Sequence, residues 1–135
     1  MQMLKGKVEL MQEKERLCNL NVDEMAIKPC YVYDSVTQSY IGTITLPLSK
    51  KLQNQRIKEN GKYEEEKELA YHALSVVVVG LCDNWEQFIA FQFTGYSVDP
   101  KAVAKWLRYV ISQVFDIGLN LKGFTMDNCP ANWKI

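Results

Sequence analysis

The chain has 135 residues, 47% of them hydrophobic, which is enough apolar material for the core of one ordinary domain. Lys and Arg together number 16, as do Asp and Glu, and this balance argues against a simple basic DNA-binding module. A phosphate-binding surface would have to be a local patch, whereas a locally acidic nuclease site remains compatible with the composition.

The first half of the chain predicts a helix followed by a hairpin. Residues 4–17 are rich in good helix formers but have only an irregular apolar stripe, which predicts a helix on the surface. Residues 18–33 are strand-like, with a bend or bulge expected at Pro29. Residues 34–39 form a polar turn and residues 40–46 alternate as a second strand, so the two runs are predicted to pair.

The middle of the chain predicts a connector and two sheet strands. Residues 49–70 are dense in Lys, Gln, Asn and Glu and are interpreted as an exposed insertion, part loop and part helix. Residues 73–81 form a β-branched run that is apolar on both faces, which is typical of a central strand covered on two sides. Residues 87–93 return as another strand.

The last third of the chain predicts a helix and a short strand. Asp99 is a good N-cap, Pro100 suits the first helical position, and Gly118 is a C-terminal stop. Residues 119–126 then form a strand, with Asp127 at its end. The apolar side chains at the spacing of one buried helix face are Val103, Trp106, Leu107, Val110, Ile111 and Val114.

This order of elements predicts an α/β fold with a mixed sheet. The sheet would have a three-stranded antiparallel part, a crossover helix and a further parallel strand. Residues 1–17 are interpreted as an N-terminal helical segment and residues 18–135 as the sheet domain. Because the chain stops soon after its last strand, the domain is predicted to be truncated.

The cysteines and the apolar runs predict a soluble, intracellular protein. Cys18, Cys30, Cys82 and Cys129 form no CxxC pair, and the single His72 completes no Cys/His metal set. Widely scattered cysteines in such a chain indicate reduced, buried side chains. The longest apolar run is far too short for a membrane span, and the N-terminus does not resemble a signal peptide.

Two aspartates are the candidates for chemistry. Asp23 lies within the first predicted strand, and alternation along a strand places Asp23 and Glu24 on opposite faces. If the first and last strands are neighbours, Asp23 and Asp127 can meet above the sheet, where two carboxylates suit Mg²⁺. A pair of such ions can cleave a phosphodiester. The alternative, that each aspartate is a turn cap or a surface charge, stays open.

Other polar and aromatic side chains allow two interpretations each. Trp85 and Trp133 can stack on DNA bases or pack against the protein. Lys28 and Lys122 can contact phosphate or lie on the surface. Asn132 can orient a metal-bound water near the carboxylates or cap a following helix.

A set of motifs in order along the chain carries a resemblance to a known family. These motifs are residues 13–18, 23–28, 31–34, 40–42, 80–85, 88–95 and 117–120, followed by Asp127 and Asn132. They resemble the RNase H-like domain of P-element transposases, a group that includes the THAP-type, domesticated transposase-like proteins. The resemblance implies an RNase H-like fold that extends over nearly the whole chain.

By this resemblance Asp23 corresponds to the first catalytic aspartate and metal ligand, and Asp127 to the second. The third acidic residue of the family comes later and has no position in this chain. The inserted domain associated with guanine nucleotides is missing too, so no GTP site is carried over. The family commonly has a glycine where this sequence has Cys129, and this departure implies a reshaped loop beside Asp127.

The leading hypothesis is therefore part of the catalytic core of a DNA transposase. It implies Mg²⁺ or Mn²⁺ in the complete site, DNA as partner, a nuclear location, a possible homo-oligomer and no membrane. Lacking one acidic ligand, this segment is predicted to have little or no nuclease activity. The alternative hypothesis is a domesticated, non-catalytic module that binds DNA or protein.

Overall fold

The computed structural model of the protein describes residues 2–126. Three helices, two short 3-10 turns and six strands make up this part of the chain. In chain order they are α1 (Gln2–Glu9), a 3-10 turn (Glu13–Arg16), β1 (Leu17–Ala26), β2 (Val32–Asp34), β3 (Ser39–Ile41), α2 (Lys50–Asn60), a 3-10 turn (Glu65–Lys67), β4 (His72–Gly80), β5 (Glu86–Thr94), α3 (Pro100–Asp116) and β6 (Asn120–Met126).

Four strands form the main sheet, in the order β5–β4–β1–β6. β4 pairs antiparallel with both β1 and β5, whereas β6 pairs parallel with β1. α3 connects β5 to β6 across one face of the sheet. The predicted mixed sheet, with a three-stranded antiparallel part, a crossover helix and a parallel strand, is confirmed.

The N-terminal helix is shorter and more deeply packed than the sequence predicts. A surface helix was expected over residues 4–17, but α1 ends at Glu9 and only a 3-10 turn follows before β1. Leu4 and Val8, one helical turn apart, are buried in the main core. The prediction of a surface position was wrong because two apolar side chains at that spacing are enough to attach a short helix.

The hairpin forms a sheet of its own, separate from the main one. β1 ends at Ala26, and three residues of β2 pair with three of β3. Pro29 lies in the break, because it has no N–H with which to continue a ladder. Gly42 follows the hairpin with φ 121°, and a Cβ at this position would collide with the carbonyl of Cys30. The predicted pairing of residues 18–33 with residues 40–46 is therefore correct only at the hairpin tip.

The predicted insertion, residues 49–70, contains α2 and the second 3-10 turn. No residue of α2 is buried, and Gly61 ends the helix with φ 76°. Leu48 and Ala70, at the two ends of the insertion, are buried with Ile44 in a small second core. This small core attaches the insertion to the main sheet.

β4 is the central strand that its sequence predicts, but within residues 2–126 it is fully buried on one face only. Leu74, Val76 and Val78 are buried, whereas the alternating Val77 and Val79 are half-buried. Buried side chains of α1, α3 and the sheet form the main core on the first face. In the described part of the chain, no equivalent buried layer covers the second face, so the prediction of burial on both sides is not met there.

α3 follows the sequence prediction closely. The Asp99 side chain accepts a hydrogen bond from the backbone N–H of Lys101 (3.2 Å), and Pro100 is the first helical residue. After Asp116 the chain turns at Gly118, with φ 97°. None of the helices within residues 2–126 combines the length and the apolar character of a bilayer span. The buried face of α3 consists of Val103, Leu107, Val110 and Val114.

The three cysteines that the structure describes are unpaired, but only one of them is buried. Cys18 is inaccessible in β1, and burial raises the pKa of its thiol to about 11. Cys30 and Cys82 are exposed. The prediction of buried cysteines is wrong for these two, because Cys30 lies in the loop after β1 and Cys82 in the turn after β4. Cys129 lies outside the described residues.

Candidate functional site

Asp23 lies in β1 with its side chain exposed, on the face of the main sheet opposite the main core. Its Oδ1 accepts a hydrogen bond from the backbone N–H of Glu24 (2.9 Å). Ser75 pairs with Asp23 across the sheet and donates its hydroxyl to the Asp23 carbonyl oxygen (3.4 Å). We call this side of the sheet the outer face; its polar residues on β1, β4 and β6 are Asn19, Asn21, Asp23, Ser75 and Thr125.

Glu24 belongs to the opposite side of the strand, as alternation predicts. It pairs with the buried Leu74, and its carboxylate lies 3.8 Å from Nδ1 of His72. The same His72 nitrogen lies 3.3 Å from the carbonyl oxygen of Gly95. Although Asp23 and Glu24 are adjacent in sequence, they cannot contribute to one site, and Glu24 is a natural control for experiments on Asp23.

The strands that bear the two candidate aspartates are neighbours. β1 and β6 run parallel, and the last described pair of their ladder is Val22 with Met126. Asp23 directly follows Val22, and Asp127 directly follows Met126 in the sequence. Asp127 and Asn132 lie outside the described residues, as does Trp133. The condition that the sequence analysis set, adjacency of the first and last strands, is met.

Amide and hydroxyl side chains form a hydrogen-bonded row on the outer face, between β1 and β6. The Asn19 side-chain amide donates to Oδ1 of Asn21 (2.6 Å) and to the hydroxyl of Thr125 (3.1 Å). Asn19 and Asn21 precede Asp23 at two-residue intervals, so all three share one face of β1. This row was not predicted from the sequence. The pattern in the sequence that could have revealed the row is the alternation of Asn19, Asn21 and Asp23 with buried apolar residues.

Trp85 has a packing role in the described structure. Its indole N–H donates to the carbonyl oxygen of Glu15 (3.0 Å), and its ring packs against the main core. It lies over Gly80, where an added Cβ would be 2.5 Å from the indole nitrogen. Exposed aromatic rings on the main sheet include Phe88 and Phe91 of β5, which stack with their centroids 6.0 Å apart, and Phe124 of β6.

The two lysines near the candidate aspartates in sequence lie on the surface. Lys28 and Lys122 are both exposed, which fits the interpretation of surface lysines. In the insertion, charges pair among themselves: Glu64 contacts Lys62 and Lys67, and these contacts lower its pKa to about 2. The insertion is therefore a solvated connector with locally compensated charge.

The chemistry of the outer face fits a hard divalent cation only in part. A carboxylate oxygen such as that of Asp23 is the donor that Mg²⁺ and Mn²⁺ prefer. Within residues 2–126, however, no three His, Cys, Asp or Glu side chains come together in a group that could hold a metal ion. Of the two candidate metal ligands, the described residues thus include one, the exposed carboxylate of Asp23 on the strand beside β6.

Comparisons with known proteins agree with this architecture. A family profile described as "TNP-like, RNase H N-terminal domain" matches residues 1–135. A solved structure of the Drosophila P element transposase strand transfer complex is similar, with a TM-score of 0.58 and 20% sequence identity. The similarity covers 94% of this chain and 23% of that chain, so this chain spans about a quarter of that transposase. No curated protein matches.

Proposed function

This chain belongs to the family of TNP-like RNase H N-terminal domains, and from that membership we propose that it is part of the catalytic core of a DNA transposase. Its RNase H-like fold and its relation to transposases are the premises. The proposal adds metal-dependent cleavage and strand transfer of DNA phosphodiesters, carried out by a longer protein. The observation that carries it is the position of Asp23, exposed on a central strand whose parallel neighbour leads directly to Asp127.

In the proposed site, Asp23 and Asp127 would hold Mg²⁺ or Mn²⁺ together with an acidic residue from outside this chain. Such metal ions would activate the attacking water and stabilise the leaving oxygen. Asp23 would contribute a carboxylate whose orientation is restrained by the Glu24 N–H. Asn132 is proposed to orient a metal-bound water. Nothing in this chain leads us to propose a GTP site.

The proposed partners follow from the proposed chemistry. Transposon ends and target DNA would be bound by the longer protein, in the nucleus and as a homo-oligomer, with no membrane involved. With one acidic ligand missing, this chain alone is proposed to cleave no DNA. We expect incubation with a DNA substrate and Mn²⁺ to leave that substrate intact; cleavage that Asp23→Asn abolishes would contradict this.

Metal binding by the 135-residue chain tests the site directly. Electron paramagnetic resonance can follow the loss of free Mn²⁺ during a titration, with Glu24→Gln as the matched control. We expect Asp23→Asn to weaken Mn²⁺ binding by about tenfold or more, since changing even a residue that supports a metal ligand costs about tenfold or more in metal affinity. Glu24→Gln removes a neighbouring carboxylate on the opposite face and should leave the affinity unchanged.

Two outcomes would count against the proposed site. If Asp23→Asn and Glu24→Gln weaken Mn²⁺ binding equally, the ion is held by general surface charge and Asp23 is not a specific ligand. If neither substitution changes the affinity, the non-catalytic alternative, a domesticated module that binds DNA or protein, becomes the better account.

A further inference from the structure

The ladder between β1 and β6 contains an irregularity just before the polar row of the outer face. Cys18 pairs with Leu121, but the next residue, Asn19, pairs with Gly123. Lys122 is thus an extra residue on β6, as in a β-bulge. Beyond this point the pairing is regular as far as Val22 with Met126, the last pair within the described residues. The bulge therefore determines which residue of β6 lies level with each residue of β1.

The side chain of Asn19 sits at the first pair after the bulge and is held from both strands. Its amide donates to Asn21 on its own strand and to Thr125 on β6 (2.6 and 3.1 Å). Its carbonyl oxygen lies over Gly123, where an added Cβ would be 2.7 Å away. A larger residue at this position would force the Asn19 side chain to shift from its present place, so the pair is matched in shape as well as in hydrogen bonding.

The register matters for the proposed metal site because side chains alternate with a period of two. With the bulge, Val22, which precedes Asp23, is level with Met126, which precedes Asp127 in the sequence. Without the bulge, Asp23 rather than Val22 would be level with Met126. A slip of one residue sends every side chain of a strand to the other face of the sheet.

We propose that Asn19, seated on Gly123 and bonded to Thr125, is a positioning residue that fixes the β1–β6 register and so keeps Val22, the residue before Asp23, level with Met126. The inference rests on the proposed function. Asn19 lies four residues before Asp23, about 13 Å along an extended strand, so it acts without touching a metal ion held by Asp23. The core contact of Met126 favours the same register, and the amide row adds specificity on the exposed face.

Substitutions at Thr125 separate the hydrogen bond from the shape of the side chain. Thr125→Val keeps the branched shape and suits an exposed strand position, but it removes the oxygen that accepts the Asn19 amide. Thr125→Ser keeps that oxygen. Gly123→Ala places a methyl group against the side-chain oxygen, Oδ1, of Asn19. None of the three substitutions changes the identity of Asp23 or Asp127.

The test combines Mn²⁺ titration with NMR contacts between the backbone protons of β1 and β6, both on the 135-residue chain. We expect Thr125→Val and Gly123→Ala to weaken Mn²⁺ binding about tenfold, and Thr125→Ser to bind Mn²⁺ like the unmodified chain. The contacts between Val22 and Met126 should weaken in the first two variants and persist in the third.

Each outcome decides a separate question. If Thr125→Val and Gly123→Ala keep both the Mn²⁺ affinity and the Val22–Met126 contacts, the positioning role is overturned. If the unmodified chain binds no Mn²⁺, Asp23 and Asp127 do not hold the ion without the third acidic ligand, and the NMR contacts alone decide the role of Asn19. Their loss in the two variants then supports a register function, and their persistence overturns it.

Discussion

Replacing Trp85 with phenylalanine is expected to lower the free energy of unfolding by about 2 kcal/mol. The phenyl ring keeps most of the packing but removes the N–H that donates to the Glu15 carbonyl oxygen at 3.0 Å. A lost hydrogen bond that leaves a partly buried carbonyl unpaired costs roughly 1–3 kcal/mol. At about 4 °C per kcal/mol for a chain of this size, the melting temperature should fall by about 8 °C.

Thermal unfolding followed by circular dichroism measures this effect, and Tyr109→Phe is a suitable control. Tyr109 is 62% exposed, so loss of its hydroxyl should change the stability by less than about 0.5 kcal/mol. If Trp85 instead stacks on DNA, Trp85→Phe will leave the melting temperature unchanged and weaken DNA binding. That result would refute the packing role that the Glu15 contact assigns to Trp85.

Two further predictions concern titratable groups. A thiol reagent at pH 8 should modify Cys30 and Cys82 within minutes and leave Cys18 unmodified in the folded chain, since Cys18 is buried with a pKa of about 11. Mass spectrometry of the peptides shows which thiols have reacted. Rapid modification of Cys18 would contradict its burial. Hydrogen bonds from the Val36 N–H and the Thr37 hydroxyl lower the pKa of the Asp34 carboxyl. Because the pKa of Asp34 is depressed in the folded state, the hairpin turn gains stability above the ordinary Asp pKa of about 3.9. It loses this stability as the pH falls through the lower, folded-state pKa. An NMR titration of Asp34 with a midpoint at or above the ordinary value would contradict this.

The elements that the sequence predicts well are those whose signals are local. Asp99, Pro100 and Gly118 mark the ends of α3 through capping and backbone conformation, which depend on adjacent residues. The apolar run 73–81 identifies β4 in the same way. What local signals did not reveal is the end of β1 at Ala26, since the strand-like run continues to residue 33. The packing of α1 was missed as well, because Leu4 and Val8 gain their burial from distant elements.

The candidate site, like the fold, could be predicted only where the sequence signal is local. Alternation in β1 correctly places Asp23 and Glu24 on opposite faces, and the predicted neighbours β1 and β6 do pair. The bulge at Lys122 and the row formed by Asn19 and Thr125 depend on contacts between residues 106 positions apart. No periodicity within a single strand encodes such a contact. The assignment of Asp127 as a partner of Asp23 stays a prediction.

The place of β1 in the sheet also orders the events of protein synthesis. β1 emerges from the ribosome early, but its partner β4 follows only after the hairpin and the insertion, and β6 comes last of the six strands. At 5–20 residues per second, the 106 residues from Asn19 to Thr125 take about 5–20 s to synthesise. Throughout that interval one edge of β1 has no β6 to pair with. An early sheet of β1, β4 and β5 is thus exposed to chaperones and to aggregation along this edge until β6 pairs with it.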